Sequence, residues 1–399
     1  MVTAAIIAEY NPFHNGHVYH AAKAREAGAT HIVAIMSGNF SQRGSGAVME
    51  KRQRAHAALL GGVDLVVELP LPYAMGPAQK FADGAAFIAD AMGCVDMLAF
   101  GSESGYITII RAAAEAIVAE DTAALLKAHM ADGTTFAKAR QMAVAKLYGD
   151  EIGDMIASPN DTLGVEYIRA LTAIGSDIMP YAILRTGAGH DALEPGAGIA
   201  SASYIRGLMR DGDFGSIEAY VTRDMAAIFR EARDAGLAPF DEAALEVALL
   251  SALRRMSPRV IAELPDISEG LENRIYTAVR QSTSFAELCE QVKSKRITAA
   301  RVRRILMAGF LGLRADMAEK TPPYIRVLGF NERGREILAT MRDTATLPVS
   351  DQLAYLYKLG GDAARFASLE STATDLYTLA LPIRQPCGYD YTAGSVRVL

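Results

Sequence analysis

The first hundred residues alternate short apolar, β-branched runs with longer stretches of helical period, and few folds accept that alternation. Val2 to Ala8, His31 to Met36, Asp64 to Val67 and Asp96 to Phe100 read as buried strands. His17 to Ala27, Glu50 to Leu60, Ala78 to Met92 and Tyr106 to Ala119 read as helices between and after them. A βαβαβαβ order requires a parallel sheet covered on both faces, with ligands at the carboxyl ends of the strands where the strand order switches. The predicted fold class is therefore α/β, a Rossmann-like parallel sheet.

Further along, residues 121–148 form a helical insert, and SPNDTLGVEYIRAL starts another helix with Asn160 or Asp161 as its N-cap. Ile178 to Leu184 offers a fifth strand, ending in Arg185 and a Gly-rich TGAGHD turn. IASASYIRGLM then begins a short helix capped by Ser201 or Ser203. Strand signals fade beyond that point, so the α/β catalytic domain is placed at residues 1–212 and a second, mainly helical domain at 213–399. Within the latter, YIRVLGF is a strand or a tight loop after Pro322 and Pro323, ahead of a helix from Glu332 to Met341. No flexible linker separates the halves, which are expected to pack on each other.

With 51% hydrophobic and 22% charged residues, wholesale disorder is excluded. No apolar run approaches the roughly 18 to 20 residues that a bilayer demands, so no membrane span is expected. The N-terminus carries no secretory pattern, and Cys94, Cys289 and Cys387 are too scattered for a disulfide framework or a CxxC metal site, which points to the cytoplasm. A net charge of −6 argues against non-specific coating of nucleic acid but allows a local basic patch. Five of the seven histidines (His14, His17, His20, His31 and His56) lie in the first 56 residues, so histidine chemistry is expected there.

The strongest local signal is AEYNPFHNGHVYH at the junction of the first strand and first helix. His14 and His17, spaced i, i+3 around Gly16, sit at a helix N-terminus whose free N–H groups and dipole favour anions. Imidazole donors aimed at phosphate oxygens would stabilise the charge that develops as pyrophosphate leaves the α-phosphorus. HxGH at a first βα turn resembles the nucleotidyltransferase superfamily, which includes class I aminoacyl-tRNA synthetases and the pantetheine-phosphate and nicotinate-nucleotide adenylyltransferases. A Ser-Ser-Thr-x-Ile-Arg or KMSKS-type loop should follow the last strand in that superfamily. Ser201, Ala202, Ser203, Tyr204, Ile205 and Arg206 stand in its place, and Ser201, Ser203 and Arg206 suit a triphosphate clamp.

Read together, YNPFHNGH, MSGNFSQRG, Lys51 and Arg54, VDLVVELP, FGSESG, SPNDTLGVEY, PPYIRVLGFNERGREIL and ATDLYTLA resemble the tRNA(Met) cytidine acetate ligase family over nearly the whole chain. The resemblance implies a HUP-type nucleotidyltransferase sheet. It also implies ATP contacts from Ile7, Ala8, Glu9, Tyr10, Asn11, Pro12, Phe13, His14, Asn15, Gly16, His17, Val18, Tyr19 and His20, with Gly101, Asn160 and Arg185. The sequence departs from the family pattern at Ser45 and Gly46, where a more acidic, proline-containing turn is usual, and at Thr186, where a larger apolar residue is usual. Neither departure is expected to touch the ATP loop.

Between Lys293 and Arg314 lie seven basic residues and no acidic one. Lys293, Lys295, Arg296, Arg301, Arg303 and Arg304 are accordingly assigned to tRNA binding, on the ground that this stripe lacks a local acidic counterweight. The leading expectation is a two-step ligase. ATP, with Mg²⁺ neutralising its phosphates, activates acetate as acetyl-adenylate, His14 and His17 being catalytic. The acetyl group then passes to N4 of the wobble cytidine, position 34, in the anticodon loop of elongator tRNA(Met). The target base follows from the resemblance alone. Two other readings stay open at this point: a small-molecule adenylyltransferase of the same superfamily, and a non-catalytic, nucleotide-gated RNA-binding protein. An acetyl-CoA-dependent transferase is disfavoured because it would make the HxGH loop pointless.

Overall fold

In a computed structural model that describes residues 1–185 and 198–398, the five predicted strands form as β1 (Thr3–Ala8), β2 (His31–Ser37), β3 (Leu65–Leu69), β4 (Met97–Ser102) and β5 (Met179–Leu184). They pair in parallel in the order β5-β4-β1-β2-β3. From the central β1 the chain builds one way through β2 and β3, then returns to the other edge for β4 and β5. The crevice between the carboxyl ends of β1 and β4 is thus the switch point at which such sheets hold ligands.

The two-residue period of the strands sorts their side chains between two faces. Ala4, Ile6, Ile32, Ala34 and Val66 pack on α1 (Asn15–Glu26) and α2 (Lys51–Leu60). Ala5, Val33, Ile35, Val67 and Leu98 pack on the helices Ala78–Ala91 and Pro159–Ala173. The insert forms as two helices, Glu120–Ala131 and Phe136–Tyr148. Ser201 caps its helix as predicted, accepting from the Tyr204 N–H at 3.2 Å. The predicted cap at Asn160 or Asp161 is corrected to Ser158: Pro159, whose fixed φ suits the first helical position, starts the helix earlier and leaves both residues in its first turn.

The sheet does not end at residue 212. YIRVLGF resolves as strand β6 (Ile325–Phe330), antiparallel to β3, and β6 in turn pairs with β7 (Val349–Ser350) and β8 (Val396–Arg397). An unpaired β3 edge would expose a row of backbone donors and acceptors, and the returning C-terminal strand covers it. Residues 213–399 therefore divide their allegiance. The helices Glu246–Arg254, Leu271–Gln281, Phe285–Val292 and Ala299–Leu311 group together, yet their Leu249, Ile275, Leu288 and Ile305 belong to the same continuous core as Ala5 and Val33. No helix among the described residues is long and apolar enough to cross a membrane.

A buried ion network fastens β6 to the sheet. Lys51 lies 2.7 Å from Glu68 and 2.8 Å from Asp390, while Arg326 lies 2.9 Å from Glu68 and 2.8 Å from Asp390. Arg52 adds a third cation on Asp390 at 2.9 Å. Charges are tolerated at such depth only when each finds opposite partners, which is the case here. Arg54, also fully buried, donates to the carbonyls of Met49, Glu9, Ser37 and Gly38, and so pins the carboxyl ends of β1 and β2 together beneath the crevice.

Candidate active site

At the end of β1 the chain turns through Tyr10, which adopts a left-handed φ of 47°. A bulky residue in that region costs about 1–3 kcal/mol and persists only where the surroundings dictate it. Its buried ring is edge-on to Phe13 and His17, at centroid distances of 5.0 and 4.8 Å. His14 is the N-cap of α1. Its Nδ1 accepts the Gly16 N–H at 3.1 Å, and the Nδ1 of His17 accepts the His14 N–H at 3.1 Å. Both lone pairs are thereby engaged, so each neutral ring carries its proton on Nε2. The rings stack at 3.8 Å, and each carries one Nε2–H donor. Gly16 is required by this arrangement, because a Cβ there would lie 2.9 Å from Cε1 of His14.

The expectation of free helix N–H groups is corrected by the same geometry. Asn15 N–H donates to the Tyr220 carbonyl, Gly16 N–H to His14 Nδ1 and His17 N–H to the His14 carbonyl. The first turn has thus committed its backbone donors to the cap and to Tyr220, which leaves the imidazole Nε2–H groups as its remaining donors.

Of the two rings, His17 borders a cleft of about 280 Å³ at the switch point. Arg206 reaches across it, donating to the Asn11 carbonyl at 2.7 Å and to Ser203 Oγ at 2.9 Å. On the β4 side, Asn160 donates to the Glu103 carboxylate and its Oδ1 accepts from Arg185 at 3.4 Å. Gly101 makes room for that arginine, since a Cβ would lie 3.3 Å from its Cγ. Among the described residues the cleft wall therefore carries cationic side chains from three separate segments (Arg43, Arg185 and Arg206) beside the neutral imidazoles of His17 and His20.

Burial, with the charges of Arg185 and Arg206 adding to it, lowers the His14 ring to about 3. His20 falls to about 4 for the same first reason. His17 is held well below its ordinary 6.5 by burial and by its two neighbouring histidines. All three are neutral at neutral pH, and His14 and His17 carry their proton on Nε2. Unfolded, they bind protons near 6.5; folded, they refuse them until far lower. The contribution of these three rings is therefore complete above about 6.5 and is lost progressively as pH falls towards the folded values, by at most about 1.4 kcal/mol per pH unit for each ring. The buried Glu370 carboxyl, raised to about 8, opposes this loss by favouring the folded state as pH falls from there towards the ordinary carboxylate range. Thermal melts between about pH 7 and pH 5 should show this fall, and a His17→Asn variant should show a shallower one.

A family model described as HIGH Nucleotidyl Transferase matches residues 1–388. The tRNA(Met) cytidine acetate ligase of Caldanaerobacter subterraneus subsp. tengcongensis is 37% identical over 386 residues, covering 95% of this chain and 96% of that protein. The Thermotoga maritima protein of the same name is 35% identical over 402 residues, covering 95% and 96%. The chain belongs to the tRNA(Met) cytidine acetate ligase family. The crystal structure of Thermotoga maritima TmcAL bound with alpha-thio ATP matches the ligase fold at a TM-score of 0.93 and 33% identity, over 100% of this chain and 99% of that one.

Of the residues predicted for the ligase site, Ile7, Ala8, Glu9, Tyr10, Asn11, His17, His20, Gly101, Asn160, Arg185, Ser201, Ser203 and Arg206 converge on the cleft wall. His14 is not part of that wall and stacks on His17. The others serve the loop from outside: Phe13 is buried against Gly61, Asn15 holds the Gly198 and Ala219 carbonyls, and Tyr19 reaches the Leu184 carbonyl. Pro12 is buried, and Val18 packs against the core face beneath α1. The TGAGHD turn, with Thr186, lies outside the described residues.

Sequence reasoning missed one whole wall. Ser41, Gln42, Arg43 and Ser45 line the cleft, and the Gln42 N–H donates to the Glu9 carboxylate at 2.8 Å. Ser45, expected away from the ATP loop, thus shares its cleft. The signal was available: MSGNFSQRG follows the carboxyl end of β2, where ligands gather in such sheets. Gly46 is dictated by packing, because a Cβ would lie 2.3 Å from the Phe240 ring.

The basic stripe does have an acidic counterweight, supplied from other segments. Arg303 pairs with Glu242 at 2.7 Å, Arg301 and Arg304 share Asp266, Arg314 meets Glu263 and Lys293 meets Glu290. Lys295 and Arg296 are exposed and have no acidic partner among the described residues.

Proposed function

We propose that the chain joins acetate to N4 of the wobble cytidine, position 34, of elongator tRNA(Met) at the expense of ATP. An acetate oxygen attacks the α-phosphorus, a P–O bond forms, the bond to the β-phosphate breaks and pyrophosphate leaves. The cytidine N4 then attacks the acetyl carbonyl, AMP departs and the N4 proton is lost to solvent or a nearby base. The carrying observation is the pair of stacked neutral imidazoles, both with Nε2–H free of the capping bonds, set against Arg206 and Arg185. Such donors strengthen their hold as charge accumulates on departing phosphate oxygens. Mg²⁺ fits this scheme as part of the ATP substrate: no group of three or more potential ligands from His, Cys, Asp and Glu occurs among the described residues, and the triphosphate itself suits the ion.

The reading is tested by pyrophosphate release from ATP, with and without acetate and with and without tRNA, followed by digestion of the RNA. Acetate-dependent release with N4-acetylcytidine in the digest supports it. Release that ignores both acetate and RNA favours a small-molecule adenylyltransferase.

For RNA contact, the unpaired Lys295 and Arg296 are stronger candidates than the ion-paired members of the stripe, because they lose no protein partner when a phosphate arrives. Reversing both to Glu should weaken tRNA binding and reduce the slope of log affinity against log salt by about 2. Titrations at several salt concentrations read both effects, and an unchanged slope would place the contacts elsewhere.

A further inference from the structure

We propose that Gln42 and Tyr167, with an apolar wall of Phe81, Phe100 and Leu163, form the subsite that takes the acyl group and limits its chain length, an inference that rests on the acetate-ligase reading. Gln42 lines the cleft, and its Nε2 is buried without a hydrogen-bond partner. A buried amide N–H₂ left unsatisfied costs stability and needs an acceptor. Tyr167, 4% exposed, also lines the cleft, and its hydroxyl makes no hydrogen bond among the described residues. Burial, with the Glu9 charge adding to it, raises the Tyr167 hydroxyl well above its ordinary value, so it remains an O–H donor. Two residues lining one cleft therefore hold idle donors, which is the chemistry that a carboxylate oxygen satisfies.

The sheet places this subsite on the correct side for displacement at phosphorus. α1 and the helix Ala202–Asp211, which bring His14, His17 and Arg206, lie on the Ile6 face. Phe81, Phe100 and Tyr167 lie on the opposite face, and Leu163 packs against it. A nucleophile must enter roughly in line with the leaving group. Pyrophosphate drawn towards the imidazoles leaves the other face for the entering carboxylate. There the Phe100 and Tyr167 rings, 5.9 Å apart, and the Leu163 side chain meet the substrate's carbon end. The Glu9 carboxylate nearby is already engaged, accepting the Gln42 backbone N–H.

The full-length protein would be assayed for pyrophosphate release with acetate, propionate and butyrate. Gln42→Leu should raise the KM for acetate at least about tenfold, as loss of a hydrogen bond to a charged group does, and should leave the KM for ATP within about twofold. Leu163→Ala should raise the propionate-to-acetate ratio of kcat/KM by about 10-fold or more, the scale on which a pocket senses one methylene. Phe81→Ala should act in the same direction, and Leu163→Ala carries this arm alone if the larger cavity prevents folding. ATP-induced thermal stabilisation identifies which variants retain the nucleotide site. A wild-type enzyme that responds to acetate, with an unchanged ratio in the enlarged variants or equal rises in both KM values for Gln42→Leu, would overturn the subsite. A wild-type enzyme that responds to no carboxylate would overturn the acetate-ligase reading, and the subsite with it.

Discussion

Replacing His17 by Ala is expected to reduce acetate-dependent pyrophosphate release by about 10²–10³-fold, the scale of losing one preorganised donor to a developing oxyanion. The loss should appear in kcat more than in the KM for ATP, because the donor matters most when charge peaks in the transition state. His17 also holds the local structure, since its Nδ1 accepts the His14 N–H and completes the cap of α1. Its removal should therefore lower the melting temperature as well, by the degree or so that about 1 kcal/mol of lost capping produces in a chain of this size. His17→Asn, which keeps a side-chain acceptor, separates the two contributions: stability should recover partly and turnover should not. His14→Ala should be similarly inactive, and the double variant hardly worse than either, since stacked donors serving one phosphate act as a unit. Turnover within tenfold of wild type for either single variant would remove the imidazoles from the mechanism.

Asp390→Ala should produce the largest loss of stability. It strips the common anion from Lys51, Arg52 and Arg326, which are buried and cannot regain water without opening the β3–β6 junction. Breaking such a network by deleting one member costs about 3–5 kcal/mol, or ~5 °C in melting temperature here. Burial by itself would raise the Asp390 carboxyl, but Lys51 and Arg326 hold it well below the usual carboxylate range. A depressed carboxyl contributes stability that is present above its unfolded value and is lost only as pH falls through the folded one. The network is thus at full strength at neutral pH, and the acid sensitivity that begins below about 6.5 belongs to the histidines. Asp390→Asn, which keeps the shape but not the charge, should fall between wild type and Asp390→Ala. Differential scanning calorimetry checks the order, and an Asp390→Ala melt within a degree of wild type would mean the cations are solvated.

The N-terminal half was legible because its signals are local. Strand runs, helix periods and an HxGH spacing are written in consecutive residues, and each forms where read. The Ser201 cap follows from chemistry a few residues long, whereas the cap of the next-earlier helix was misplaced because Pro159 outcompetes Asn160 for its start. The segment of Gln42 is marked by its place after the carboxyl end of β2, but nothing in the sequence singles out Gln42 within it. It becomes a candidate only when the helix carrying Tyr167 and Leu163 closes over the other side of the cleft.

The charge balance of the basic stripe was misread for the same reason. Counting within residues 293–314 finds no anion, but folding brings Glu242, Glu263 and Asp266 to Arg303, Arg314, Arg301 and Arg304. Coulomb attraction acts through a few ångströms of space and takes no account of position along the chain. The sequence alone thus determined the parallel sheet, the HxGH turn after its first strand and the pair of imidazoles it carries, because backbone sterics and side-chain periodicity act between near neighbours. Only the tertiary structure decided that the C-terminal strand completes the sheet, which cations remain unpaired, and which polar groups are left in the cleft awaiting a substrate, because burial and pairing are settled among residues hundreds of positions apart.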